Sequence, residues 1–263
     1  MIDILSTALL ANGVLYLATW AWGTRIANIS IIDGIWSLSF ALTLTVCLFE
    51  KASVSIHQLL LAGLIYVWAL RLSVHLFPRS LSHGEDHRYT RMRQGWRPEQ
   101  FVWWSLVGIF GLQLILSLLL SIPFIGALTS TSQPTTAFFF GLLLSLFGFV
   151  YETCADLQLK AFRSQIESEK RVLDTGLWRY SRHPNYFGEW LFWWGIWIAS
   201  ADLGAPWWSI YAPILLTALL LRVSGVANME SKIEERRPDY RRYIDSTNAF
   251  FPGPLKSTPT IEP

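Results

Sequence analysis

Two carboxylates one helical turn apart, Glu152 and Asp156, stand inside a segment that is otherwise apolar, and so do an amide and a carboxylate one turn apart, Asn185 and Glu189. At that spacing each pair shares one helix face. Asp33, Arg71 and Arg222 interrupt other apolar segments. A charge inside a bilayer costs roughly 2.5–3.5 kcal/mol on insertion scales, so such residues mark a buried polar pocket. Lys160 and Arg163 continue the face of Glu152 and Asp156, where intrahelical ion pairs and snorkelling at the interface are an equal reading. Arg71 and His75 share a face in the same way. For Glu152, Glu189 and Arg222 together, function is the stronger reading.

The elements that must position these groups are membrane helices. The chain has 263 residues, is 52% hydrophobic and 15% charged, and carries 14 Trp. Apolar stretches long enough to cross a bilayer recur at about 4–23, 29–49, 56–77, 101–125, 136–158, 186–201 and 206–227. The expected fold is therefore all-α, an integral membrane protein with seven transmembrane helices. Arg25, the cluster Arg79 to Arg97, the run Lys160 to Arg182 and the tail from Lys232 to Lys256 all fall on one side of that topology, with Lys51 opposite. Positive charge marks the cytoplasmic side, which puts the N-terminus outside and the C-terminus in the cytoplasm. All six intramembrane charges then sit in the inner half of the membrane. A voltage sensor or channel spreads charge across the depth; this arrangement implies a cavity open to the cytosol.

The first apolar run lacks a basic flank and a small-residue cleavage site, so it is read as a retained span. Cys47 and Cys154 have no metal-ligand spacing, and no metal is expected. The basic face suits anionic lipid headgroups or ligand phosphates rather than nucleic acid. Residues 1–252 read as one domain, with a flexible tail over 253–263 and an amphipathic cytoplasmic helix over 228–246, broken near Pro238. Two connectors are too patterned to be plain loops: His83 to Tyr89, and Trp178 to Glu189. In the second, Pro184 suits the first turn of a helix. The N–H groups freed there, with Arg179 and Arg182 adjacent, favour an anion.

The run Gly176-Leu177-Trp178-Arg179-Tyr180-Ser181-Arg182-His183-Pro184-Asn185-Tyr186-Phe187-Gly188-Glu189 resembles the signature of the steroid 5α-reductase family and its bacterial relatives of unassigned function. Arg237-Pro238-Asp239-Tyr240-Arg241-Arg242-Tyr243 with Thr247, Phe250 and Pro252 is similar to the same bacterial branch, and Gly84 to Tyr89 fits it. The resemblance covers most of the chain from about Asp33 to Pro252. It implies a seven-helix reductase of the bacterial inner membrane that uses NADPH, held from the cytoplasmic side by the C-terminal half, about 150–252. Carried over by motif, the cofactor-binding residues are Glu152, Asp156, Arg163, Arg179, Tyr180, His183, Asn185, Glu189, Arg222, Tyr240 and Arg241. Arginines that fork onto phosphate oxygens suit such a ligand.

The steroid enzymes polarise the enone carbonyl with a Gln-Glu pair on helix two and a Tyr on helix three. This chain departs from that pattern, offering Asp33 on helix two and Tyr66 on helix three. The expected catalytic set is Tyr66 as proton donor, with Asp33 or Arg71 tuning it; an aromatic packing role for Tyr66 is an equal reading. The expected reaction is hydride transfer to the carbon–carbon double bond of a lipophilic enone, steroid-like or another isoprenoid or lipid, entering from the bilayer. A second reading is an S-adenosylmethionine-dependent membrane methyltransferase, because isoprenylcysteine and phospholipid methyltransferases share the pattern of Arg182-His183-Pro184-Asn185-Tyr186-Phe187-Gly188 and a Glu pair like Glu234-Glu235. The number of arginines favours the phosphate-bearing cofactor. A third reading is a non-catalytic lipid-binding membrane protein.

Overall fold

A computed structural model describes residues 2–82, 84–165, 171–223 and 240–256. Every regular element among them is helical. Five helices are long and apolar enough to cross a membrane: Ile2–Arg25, Ile29–Phe49, Ile56–Ser82, Pro98–Thr129 and Thr136–Arg163. The other two expected spans are shorter. One is a helix over Pro184–Asp202, 19 residues with Glu189 near its start and Asp202 at its end; the other is the apolar stretch Trp207–Arg222. The chain divides into two compact units, Met1–Phe138 with Ala199–Ala212, and Phe139–Ile198 with Pro213–Pro263.

In the first unit, α1 (Ile2–Arg25) opens with Asp3 and closes with Arg25, which suits the helix dipole. Asn28 then caps a short 3₁₀ turn by accepting from the Ser30 N–H, and the chain enters α2 (Ile32–Phe49). This helix packs against α1, against α3 (Ile56–Ser82) and against α6 (Leu112–Thr129). Gly34 allows the crossing of α2 and α3: a Cβ there would stand 2.9 Å from the Cα and Cβ of Phe77. The next connector holds α4 (His87–Gln94), capped by Asp86. Pro98 opens α5 (Pro98–Ser105), where its missing N–H costs no bond. A π-helical turn, Leu106–Gly111, joins α5 to α6. Exposed Leu10, Val14, Val67, Leu70, Val74, Val107 and Ile115 make an apolar outer face, as lipid-facing helices require.

In the second unit, α7 (Thr136–Arg163) has two contrasting faces. Phe140, Leu143, Phe147, Val150 and Leu157 are exposed. Gly141, Ser145, Gly148, Glu152, Ala155 and Asp156 recur at helical spacing on the buried face. That face meets α8 (Pro184–Asp202) through small residues on both sides. A Cβ at Gly148 would stand 2.5 Å from the Phe192 nitrogen, and one at Gly195 would stand 2.5 Å from the Gly141 carbonyl. The Ser145 hydroxyl seals this seam by donating to the Phe192 carbonyl at 3.0 Å. After α9 (Tyr211–Ala218) a second π-helical turn, Leu219–Val223, carries Arg222. Of the amphipathic helix expected over 228–246, residues 228–239 lie outside the described residues, and Tyr240–Ser246 is helical.

Candidate functional site

Gly188 is the geometric key to the second unit. A Cβ at this position would lie 2.5 Å from the Glu152 nitrogen and 2.8 Å from its Cα and Cβ. With no side chain there, the first turns of α8 lie against the carboxylate turn of α7. Asn185, one turn before Glu189, then donates from Nδ2 to Asp156 Oδ1 at 3.1 Å. Glu152 and Asp156 are only 3% and 5% exposed, so two acids stand in a buried, apolar setting where water is scarce. Such groups hold hydrogen-bond donors strongly. His183, also buried, stacks on Tyr186 with ring centroids 5.6 Å apart.

The approach to α8 is braced by the C-terminal segment. Gly176, at φ +61°, turns the chain under Gln158, whose side-chain oxygen accepts from the Leu177 N–H at 3.0 Å. The Trp178 indole donates to the Ala155 carbonyl at 3.1 Å, in the turn between Glu152 and Asp156. The Tyr243 hydroxyl donates to the Trp178 carbonyl. The Ser181 hydroxyl donates to the Phe250 carbonyl at 2.8 Å, and the Gly253 N–H to the Tyr180 carbonyl at 3.1 Å. Lys256 N–H donates to the Ser246 carbonyl, so residues 253–256 of the expected flexible tail are tied down; 257–263 lie outside the described residues.

Arg182 departs from its expected place beside an anion. It is buried, and its guanidinium donates to the carbonyls of Ile244 and Thr247 at 3.0 and 2.7 Å. These are carbonyls at the C-terminal end of the helix Tyr240–Ser246, which need a donor and attract a cation. The arginine is therefore a strut. Arg163, Arg179, Arg222 and Arg241 all expose their side chains, with Arg241 near Asp245 at 3.6 Å. Tyr180 is about half exposed, Tyr240 is buried and Glu189 half-buried. A cleft of about 270 Å³ is lined by Gln158, Phe162, Arg171, Leu173, Asp174 and Thr175, and an open groove of about 500 Å³ by Leu221 and Asn248 to Pro252.

In the first unit Asp33 and Tyr66 lie apart, each with its own partners. Asp33 is held by Arg88, whose Nη2 lies 2.5 Å from Oδ2, and by the Tyr89 hydroxyl, which donates to Oδ1 at 2.6 Å. Tyr66 instead shares a 2.7 Å hydrogen bond with Thr45. Twelve residues of α2 separate Thr45 from Asp33, about 18 Å along the helix axis at 1.5 Å per residue. Asp33 therefore does not tune Tyr66. Arg71 is half-buried on α3.

The patterned connector explains where Asp33 went. Asp86 accepts from the Arg88 N–H at 2.9 Å, and Glu85 accepts from the Ile29 N–H and, through both oxygens, from Arg93. Asn28 donates to the Ser80 carbonyl at 2.7 Å. These bonds lash α4 to the start of α2. Burial pushes the Tyr89 phenol well above 10.0, and the Asp33 charge pushes it further. Burial alone would raise Asp86, but the hydrogen bonds and charge of Arg88 outweigh it and hold the carboxyl below 3.8. The same ion pairs with Asp33 and Asp86 overcome burial at Arg88 and raise its guanidinium. The cue for this lash was the Gly84 to Tyr89 pattern; that its partner on α2 is Asp33 had no local cue.

A family model described as a protein of unknown function, DUF1295, matches residues 19–247. An uncharacterized protein of Schizosaccharomyces pombe is 28% identical over 263 positions, covering 88% of this chain and 75% of the relative. No solved structure matches the chain significantly.

Proposed function

The chain belongs to the DUF1295 family of proteins of unknown function, and from that premise we propose that it is an NADPH-dependent membrane reductase acting on the carbon–carbon double bond of a lipophilic enone. The observation that carries the reading is the cluster of buried Glu152 and Asp156 with half-buried Asn185, held together by the Gly188 contact within the His183 to Glu189 segment that resembles the steroid 5α-reductase signature. In this reading α8 and Trp207–Arg222 also cross, giving seven spans with the basic loops in the cytoplasm.

The donor set suits a dinucleotide. Asp156 and Glu152 are acceptors for ribose hydroxyls, Asn185 offers an amide to a carboxamide or hydroxyl, and the solvent-facing Arg163, Arg179, Arg222 and Arg241 suit phosphates. His183, Tyr180, Glu189 and Tyr240 complete the assigned set. NADPH, when bound, supplies a hydride to the β-carbon. The α-carbon takes a proton. With Asp33 engaged by Arg88 and Tyr89, the Tyr66 hydroxyl is the assigned donor and Thr45 is its partner. The apolar helices exclude water and keep the lipid substrate in the bilayer.

The test is cofactor titration of the purified protein, followed by NADPH consumption with a panel of enones. Saturable NADPH binding, lost in Asn185→Ala and Arg222→Ala and kept in Tyr66→Phe, is the expected result, with turnover reduced in Tyr66→Phe. Binding of S-adenosylmethionine without any response to NADPH overturns the reading in favour of methyl transfer.

A further inference from the structure

Thr217, on α9, holds two tryptophans of α8 at once. The Trp190 indole N–H donates to Thr217 Oγ1 at 3.0 Å, and the Trp194 indole N–H donates to the same oxygen at 3.3 Å. The hydroxyl gives its own proton to the Pro213 carbonyl one turn back, at 2.6 Å. One proton and two lone pairs are all that a hydroxyl has, so this hub is saturated. An indole N–H can only donate, and a bilayer interior offers no water in place of Thr217. The two helices are therefore pinned to each other at one oxygen. The reductase reading gives Trp190, Trp194 and Thr217 no role.

The neighbours of the pin give it a consequence. On α8, Trp190 directly follows Glu189 and stands five residues after Asn185. Its ring packs on Phe187, Phe250 and Phe251, with centroids 5.7, 6.3 and 5.4 Å away. The pinned ring thus belongs to the block formed by α8 and the C-terminal segment that braces the site. On α9, the α-helix ends at Ala218, one residue past Thr217, and the π-helical turn Leu219–Val223 follows. Leu221 of that turn lines the open groove beside Phe250 and Phe251. Arg222 comes next and is exposed.

A π turn takes one residue more than an α turn, and such turns inside helices are frequent at functional sites. One added residue rotates the chain beyond it by about 100° relative to a continuous α-helix. The direction of Arg222 therefore depends on where the extra residue is absorbed. The bond from Thr217 to Pro213 and the two indoles hold the last α-helical turn in place, which confines the change to the residues after it. We propose that Thr217 is a positioning residue: its three hydrogen bonds fix the start of the π turn and so aim Arg222 relative to Asn185 and Glu189 on α8. That the aimed arginine meets a phosphate of NADPH rests on the reductase reading; the aiming itself does not.

Spin labels on Cys154, which is exposed on α7, and on Arg222→Cys report the aim in nanodiscs without cofactor, with the buried Cys47 replaced by alanine. The distance distribution between the labels is expected to shift or broaden in Thr217→Val and to return in Thr217→Ser. Ser145→Ala removes a bond from the seam of α7 and α8 and should leave the distribution as it is, so weaker packing alone does not mimic the effect. The second arm is NADPH titration of the chain with Arg222 in place. Thr217→Val is expected to weaken binding about tenfold and to cause no further loss in Arg222→Ala. An unchanged distribution in Thr217→Val overturns the proposal, and so does a loss of affinity that adds in full to that of Arg222→Ala. Wild-type protein that binds no NADPH overturns the reductase reading alone, and the label distances still decide the role of Thr217. If Thr217→Val does not accumulate, the same change with Trp190→Phe and Trp194→Phe leaves no indole donor bare and takes both tests.

Discussion

Replacing Gly188 by alanine sets the packing of α7 and α8 against the chemistry of the site. The new methyl would stand 2.5 Å from the Glu152 nitrogen, whereas ordinary contact begins near 3.4 Å. The atoms it strikes are backbone and Cβ, so no side chain can swing away. The helices must part by about 0.9 Å at this turn, in an interior packed as densely as a crystal. Overpacking of that kind costs about 1–3 kcal/mol. The Asn185–Asp156 bond, 3.1 Å long, stretches toward 4 Å and is lost. A hydrogen bond to a charged group contributes about 1.5–3 kcal/mol. Together these lower stability by about 2.5–6 kcal/mol, or about 5–20 °C in midpoint for a chain of this size.

The assays are thermal unfolding in detergent and NADPH titration by fluorescence. With the Asn185 contact gone, NADPH binding is expected to weaken about 10- to 100-fold. Gly13→Ala and Gly63→Ala are the controls: a Cβ at either position meets nothing within 4 Å, and alanine in a helix is better by roughly 0.5–1 kcal/mol. Their midpoints should hold or rise. A Gly188→Ala midpoint as high as that of Gly63→Ala refutes the close contact of α7 and α8. A lowered midpoint with unchanged NADPH affinity refutes the link from that contact to the cofactor.

Arg182→Met removes the donor from the Ile244 and Thr247 carbonyls and should cost about 3 kcal/mol or more, with partial recovery in Arg182→Lys. Lost NADPH affinity at an unchanged midpoint would show an anion ligand instead of a strut. Tyr89→Phe takes one of the two partners from Asp33 and should loosen α4, read as faster hydrogen exchange over residues 84–97. The Tyr89 phenol titrates above 10.0 when folded, so its contribution is full below pH 10 and is lost as pH rises beyond it. The midpoint of the wild type should therefore fall more steeply above pH 10 than that of Tyr89→Phe.

How much of this was legible in the sequence depended on what each residue's partner was. The helical class and the long apolar spans follow from hydropathy, which is a local property. The face shared by Glu152 and Asp156 follows from 3.6-residue periodicity, and Pro184 marks the start of α8. The Asn185–Asp156 bond joins residues 29 positions apart. The pattern named both ends and the Gly188 contact explains their meeting. Asp33 shows where such a reading stops. Its place on an apolar helix follows from hydropathy, but Arg88 and Tyr89 lie 55 and 56 positions away, and no local signal assigns a partner at that range.

Charge inside an apolar segment is thus a weaker guide to function than the fate of its hydrogen bonds. Asp33 and Arg182 are both charged and both held by the fold: Asp33 by Arg88 and Tyr89, Arg182 by backbone carbonyls. Each would be costly to remove for structural reasons alone. The same criterion orders the mutations. Loss of stability should dominate at Arg182 and Asp33, and loss of binding at Asn185.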